Sequence, residues 1–181
     1  MDQRIIVAGF GGQGVMLLGQ VLSYTATALD LHTVWIPSYG PETRGGTANC
    51  SVIISDTPIH SPLVEYPNIL LALNEPSLRK FENKVTPGGV IITNSSLIKD
   101  HVFRDDVTVI EIPANDMALG LENLKTVNMI MLGAFMTQST FLSEEAIHKT
   151  LEKTFSGAKA ALLPLNQQAL AMGYEHARSH A

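Results

Sequence analysis

The sequence of 181 residues contains a single cysteine, Cys50. No internal disulfide can therefore form, and there is no Cys-x-x-Cys pair of the kind that holds zinc or an iron–sulfur cluster. The six histidines, at 32, 60, 101, 148, 176 and 180, lack metal-ligand spacing apart from His176 and His180, which read as an exposed helix end. No metal site is expected in this chain, and any metal chemistry would come from another. Charge is also sparse, at 16% of residues, and the net charge is −5 with Lys and Arg scattered along the chain. That composition offers no basic stripe to neutralise phosphates, so nucleic acid is not an expected partner. No apolar run approaches the ~20 residues needed to span a bilayer, so no membrane is expected. The short apolar segment that follows Met1-Asp2-Gln3-Arg4 is much shorter than a signal-peptide core, and the expected location is the cytoplasm.

What is present is a chain 45% apolar, enough for one well-buried domain covering residues 1–181. Arg4 to Ala8 is a compact apolar run ending in glycine, the pattern of a first buried strand of a parallel sheet. From Gly14 onward, Val15, Leu18, Leu22, Thr25 and Leu29 recur at helical spacing, predicting a helix of about 16 residues with one apolar face. Thr33 to Pro37 reads as a second strand, which favours a right-handed βαβ unit. Further strands are predicted at Cys50 to Ser55, Ile69 to Leu73, Gly89 to Thr93 and Val107 to Ile112, with Asn74-Glu75-Pro76 capping a short helix. Helices follow at 127–138, after the N-cap residue Ser143, and at 165–177. Segment 127–138 is apolar on every face, which fits either core burial or a subunit interface. The fold class is α/β, a three-layer αβα Rossmann-like sandwich with a mostly parallel sheet.

Two segments carry candidate chemistry. Gly9-Phe10-Gly11-Gly12-Gln13-Gly14 fits G-x-G-x-x-G directly after a strand and at the start of a helix. Glycines there permit a tight turn, and a helix N-terminus favours a phosphate through its unpaired N–H groups and dipole. The alternative is that the glycines only let strand and helix pack closely. A dinucleotide site should show Asp or Glu at the end of the second strand, where the sequence reads Ile36-Pro37-Ser38-Tyr39, and a kinase-type phosphate loop needs Gly-Lys-Ser/Thr, where Val15-Met16 follow Gly14. Both readings are disfavoured. The second segment, Ser38 to Thr47, leaves the second strand on the carboxyl edge of the sheet, where α/β domains place ligands. Arg44 has a planar fork suited to phosphate or carboxylate, and Gly45-Gly46 permit close approach by a ligand or another chain. The alternative there is a local Glu42–Arg44 ion pair in a solvated loop. Cys50, inside a strand pattern, reads as a buried inert thiol.

These segments, with Ser61-Pro62, Ala72-Leu73-Asn74 and Asn128-Met129-Ile130-Met131-Leu132-Gly133, resemble the gamma subunit of 2-oxoacid:ferredoxin oxidoreductases over nearly the full length. The resemblance implies a complex that decarboxylates a 2-oxoacid on thiamine diphosphate with magnesium, sends electrons through iron–sulfur clusters to ferredoxin, and transfers the acyl group to coenzyme A. It implies alpha, beta and delta-type partner subunits carrying those cofactors, an isolated chain that is inactive, and self-pairing as an option for that isolated chain. The motifs look closer to 2-oxoglutarate or branched-chain enzymes than to pyruvate enzymes. The residues expected to contact the coenzyme are Gly9, Phe10, Gly11, Gly12, Gln13, Gly14, Glu42, Arg44, Gly45 and Gly46. No catalytic residue is expected in this chain. A stand-alone nucleotide-binding regulator and a purely structural assembly domain are the rival readings.

Overall fold

The computed structural model describes residues 1–40 and 46–180. Strand β1 (Asp2–Phe10) is followed by helix α1 (Val15–Ala28), then β2 (His32–Tyr39), β3 (Thr47–Ser55), β4 (Ile69–Ala72), α2 (Glu75–Phe81), β5 (Val90–Asn94) and β6 (Thr108–Ile112). Helices α3 (Ala114–Gly120), α4 (Val127–Met136), α5 (Glu144–Thr154) and α6 (Leu163–Ser179) complete the chain. One six-stranded sheet runs in the order β2-β3-β1-β4-β5-β6. Strands β1, β4, β5 and β6 are mutually parallel, while β3 is antiparallel to both β1 and β2. The expected β1-α1-β2 crossover is therefore present in split form, with β3 inserted between its two strands. Ladder partners also lengthen β1 and β3 beyond their apolar cores: Asp2 faces Ser55 and Phe10 faces Thr47.

Burial follows the strand alternation. Ile5 and Val7 of β1, with Cys50, Val52 and Ile54 of β3, face the larger core under α1 and α3 to α6. Ile6, Ala8, Leu70 and Ala72 face the other side, where Leu78 and Phe81 of α2 cover them. Helix α1 docks through Val15, Leu18, Val21, Leu22 and Ala26, and burying each such large side chain contributes roughly 1.5–3 kcal/mol. The second helical layer is a single short helix. It packs on β1 and β4, and among the described residues no helix packs on this face of β2 and β3.

All ten residues of α4 are buried within the chain itself, which settles the apolar segment as core. Its close neighbour is α6: a Cβ on Gly133 would strike the Leu170 carbonyl oxygen, and one on Gly173 would strike the Ile130 carbonyl oxygen. Helix α4 ends two residues earlier than its apolar pattern suggests, because Gln138 N–H bonds to Phe135 O at 2.9 Å and tightens the last turn. Helix α3 has no counterpart in the sequence reading. Its first N–H, on Ala114, is accepted at 3.2 Å by Asn94 Oδ1, twenty residues earlier, so the chain carries no local cap signal.

Candidate functional site

The glycine turn sits at the carboxyl end of β1 and is held in shape by side-chain amides. Gln13 Oε1 accepts from Phe10 N–H at 2.6 Å and from Asn74 Nδ2 at 3.0 Å, and Gln13 N–H bonds to Phe10 O at 3.1 Å. Gly12 has φ +93° and Gly14 φ +76°, the left-handed region that disfavours a Cβ. Gly11 N–H is accepted by Gly46 O at 3.0 Å, which ties the turn to the start of β3. The N–H groups of Gly12, Gly14, Val15, Met16 and Leu17 find no acceptor among the described residues. Helix α1 has no side-chain cap at its N-terminus and no acidic residue in its first turn. Helix α2 differs, since Asn74 caps it through Ser77 N–H at 2.9 Å and Glu75 adds a negative charge. The positive end of the α1 dipole is thus left without a negative group from these sources.

Packing accounts for part of the motif. A Cβ on Gly14 would run into the amide of Asn128, whose Nδ2 donates to Gly14 O at 3.2 Å, and one on Gly9 would lie 2.6 Å from Gln13 Oε1. Gly12 has open space around it, so its role is backbone conformation. The sequence reading missed Asn74 and Asn128 as supports of the turn. Asn128 was visible as the lone amide in an otherwise apolar helix.

The bare N–H groups open on a cavity of about 490 Å³ lined by the turn, by Val15, Met16 and Leu17, and by Tyr39, Gly40, Gly46, Thr47 and Ala48. The glycine turn and the ends of the second segment are brought together as expected. Gly40 N–H bonds to Thr47 O at 3.1 Å, and Gly46 touches Gly11. Glu42, Arg44 and Gly45 lie outside the described residues. Tyr39 is 72% exposed at the rim. Among the described residues the cavity lining carries one titratable group, the Tyr39 phenol, and the site can hold an anion by backbone dipoles.

Cys50 is fully buried beneath α1, and desolvation pushes its thiol up to about 12. It is therefore neither a nucleophile nor a metal ligand in the folded chain. His176 and His180 stack at 4.2 Å between ring centres on the last turn of α6, and no group of three metal-ligating side chains occurs among the described residues. No helix among those residues is long and apolar enough to cross a membrane.

The sequence matches the family model described as pyruvate ferredoxin/flavodoxin oxidoreductase over residues 4–176. It is 38% identical to the ketoisovalerate oxidoreductase subunit VorA of Methanothermobacter thermautotrophicus across 99% of this chain, and spans only 37% of that relative's length. It is 35% identical to the 2-oxoglutarate synthase subunit KorC of Methanocaldococcus jannaschii, covering 98% of this chain and 95% of the relative. Among solved structures, it is similar to the gamma subunit of the keto/oxoacid ferredoxin oxidoreductase of Geobacter sulfurreducens, with a TM-score of 0.83, 28% identity, and coverage of 98% of this chain and 99% of that one. The split βαβ sheet, the glycine turn at its carboxyl edge and the match along nearly the whole chain converge: this chain belongs to the pyruvate ferredoxin/flavodoxin oxidoreductase family.

Proposed function

We propose that the chain is the gamma-type component of a cytoplasmic 2-oxoacid:ferredoxin oxidoreductase, and that its glycine turn holds phosphate of coenzyme A. The observation that carries this reading is the uncapped N-terminus of α1, with neither cap nor acid, opening on a cavity of about 490 Å³. Backbone N–H groups and the helix dipole together favour an anion at that point. Arg44, in the segment between Gly40 and Gly46, is proposed to add a planar cationic contact, with Glu42 and Gly45 beside it.

The residues present do not suit the other cofactors of such a complex. The one thiol is sealed in the core, and the sequence has no Gly-Asp-Gly segment for thiamine diphosphate. Thiamine diphosphate, magnesium and the iron–sulfur clusters are assigned to alpha, beta and delta-type partners, and those groups supply the decarboxylation and electron transfer. This chain's contribution is to orient the acyl acceptor. The substrate is proposed to be a branched-chain 2-oxoacid or 2-oxoglutarate, consistent with the relatives named above.

The test is co-purification of the tagged chain from its native source. Recovery with thiamine-binding and cluster-binding chains, and viologen reduction that requires both a 2-oxoacid and coenzyme A, is the expected result. A chain recovered alone with a bound nucleotide would replace this reading with that of a stand-alone regulator.

A further inference from the structure

Four of the six residues in the glycine turn have no side chain, so the turn has little of its own to hold its shape. Between Phe10 and Val15 the one residue with a side chain is Gln13, and it grips Phe10 twice. Its N–H bonds to Phe10 O at 3.1 Å, closing a four-residue turn with the left-handed Gly12 at the third position, and its Oε1 accepts from Phe10 N–H at 2.6 Å. Gly9 makes room for that carboxamide: a Cβ there would lie 2.6 Å from Oε1 and 3.1 Å from Leu73 Cβ.

Gln13 Oε1 is held in place from outside the turn by Asn74 Nδ2, at 3.0 Å. Asn74 is 2% exposed and both ends of its amide are committed, since Oδ1 accepts from Ser77 N–H at 2.9 Å at the start of α2. Flipping either amide would set donor against donor, so the hydrogen-bond pattern fixes both orientations. Gln13 follows β1 and Asn74 follows β4, adjacent parallel strands whose next helices pack on opposite faces of the sheet. That divergence opens a crevice at the carboxyl edge, the place where α/β sheets receive ligands. The Asn74–Gln13 bond spans it and joins the glycine turn to the buried N-cap of α2.

We propose that Asn74, acting through Gln13, is a positioning residue: the amide pair holds the glycine turn in the conformation that presents the N–H groups of Gly14 and the first turn of α1 to the phosphate of the coenzyme. The inference rests on the reading of the turn as a coenzyme A site. A glycine-rich turn left loose would lose conformational freedom when the ligand bound, and one already held loses little. Both members of the pair are neutral, so a phosphate at the α1 N-terminus meets no repulsion from its support.

The experiment is steady-state kinetics of the assembled complex carrying Asn74→Ser, Gln13→Met or both, with Met16→Glu against Met16→Gln as a separate probe of the anion site. Serine caps a helix about as well as asparagine but cannot reach Gln13, and methionine has the length of glutamine without its acceptor. Loss of one hydrogen bond in Asn74→Ser should raise the KM for coenzyme A by about threefold to tenfold, and Gln13→Met should raise it by at least as much, with the KM for the 2-oxoacid equal to the parent's. Because Asn74 acts through Gln13, the double variant should match Gln13→Met alone. Asn74→Ser, which keeps the α2 cap, decides the matter by itself where Gln13→Met does not assemble. An unchanged coenzyme A constant in Asn74→Ser, an equal rise in both constants, or a further rise in the double variant overturns the proposal. If Met16→Glu still raises the coenzyme A constant over Met16→Gln, the binding site stands and only its support by Asn74 falls; if it does not, the reading of the site falls as well.

Discussion

Replacing Gly173 with alanine sets two effects of opposite sign against each other. In an isolated helix the change gains up to about 1 kcal/mol, since glycine is the poorer helix former. At this position the new methyl group would overlap the Ile130 carbonyl oxygen and lie 2.7 Å from the carbonyl carbon and 2.9 Å from Cα. Carbon atoms in contact settle near 3.5–4.0 Å, so α6 would have to move away from α4 by about 1 Å. The neighbour is backbone in mid-helix and cannot swing aside as a side chain would. Overpacking of this kind costs about 1–3 kcal/mol, and the displacement also loosens the contacts of Leu170, Ala169 and Ala177, which are buried in the same seam. The balance is a net loss of roughly 2 kcal/mol, or a Tm lower by about 4–8 °C for a domain of this size. Gly133→Ala meets the Leu170 carbonyl and, at 2.8 Å, Tyr174 N, and should cost a similar amount. The double variant should be less damaging than the sum, because one separation of the helices relieves both clashes. Thermal and urea unfolding followed by circular dichroism measure this. A Tm raised by either alanine, or strictly additive losses, would refute the close-crossing argument.

Asn74→Ala removes the cap on Ser77 N–H and one donor to Gln13 Oε1; urea unfolding should show a loss of about 1–2 kcal/mol. Cys50 should be inert to a thiol reagent at pH 8 in the folded chain and react fully once the chain is unfolded. Its raised pKa also makes the folded state bind more protons than the unfolded one between about pH 9 and 12, so stability contributed by the neutral thiol is lost as pH rises through that window, and Cys50→Ala should flatten the fall. Arg44→Ala should cut 2-oxoacid-dependent viologen reduction in the assembled complex at least about tenfold while the stability of the isolated chain changes by no more than roughly 0.5 kcal/mol. Arg44→Lys should restore part of the rate, and full activity in Arg44→Ala would remove that residue from the site.

Much of this was legible in the residues, for identifiable reasons. Strands β4 and β5 read clearly because a central parallel strand is buried on both faces and so is continuously apolar, as in Ile69–Ala72. The α5 boundary read correctly because Ser143 accepts from Ala146 N–H within its own turn. The orientation of β3 did not read, because alternation along 47–55 is the same whichever way the strand runs. Neither did α3, whose capping oxygen belongs to Asn94. At the site, the glycine spacing located the turn, but it did not separate its uses. Gly9 and Gly14 answer to the side chains of Gln13 and Asn128, and Asn128 is 114 residues distant. Only three-dimensional proximity shows that Gly11 N–H is already taken by Gly46 O while the N–H groups in the first turn of α1 find no acceptor among the described residues.

Anion binding at the N-terminus of α1 can be tested at Met16. Met16 is partly exposed, lies in the first turn of α1 and lines the cavity. Glutamate there interacts favourably with the helix dipole, by about 0.3–1 kcal/mol, so the fold should not suffer. A phosphate on the same N–H groups would be repelled, by an amount on the order of 1–2 kcal/mol near a protein surface. Met16→Gln, of equal size and no charge, controls for the lost apolar contact. Steady-state kinetics of the assembled complex should give a KM for coenzyme A about tenfold higher in Met16→Glu than in Met16→Gln, with the KM for the 2-oxoacid equal in the two. Equal coenzyme A constants in the glutamate and glutamine variants would contradict the account and leave the glycine turn as a packing device.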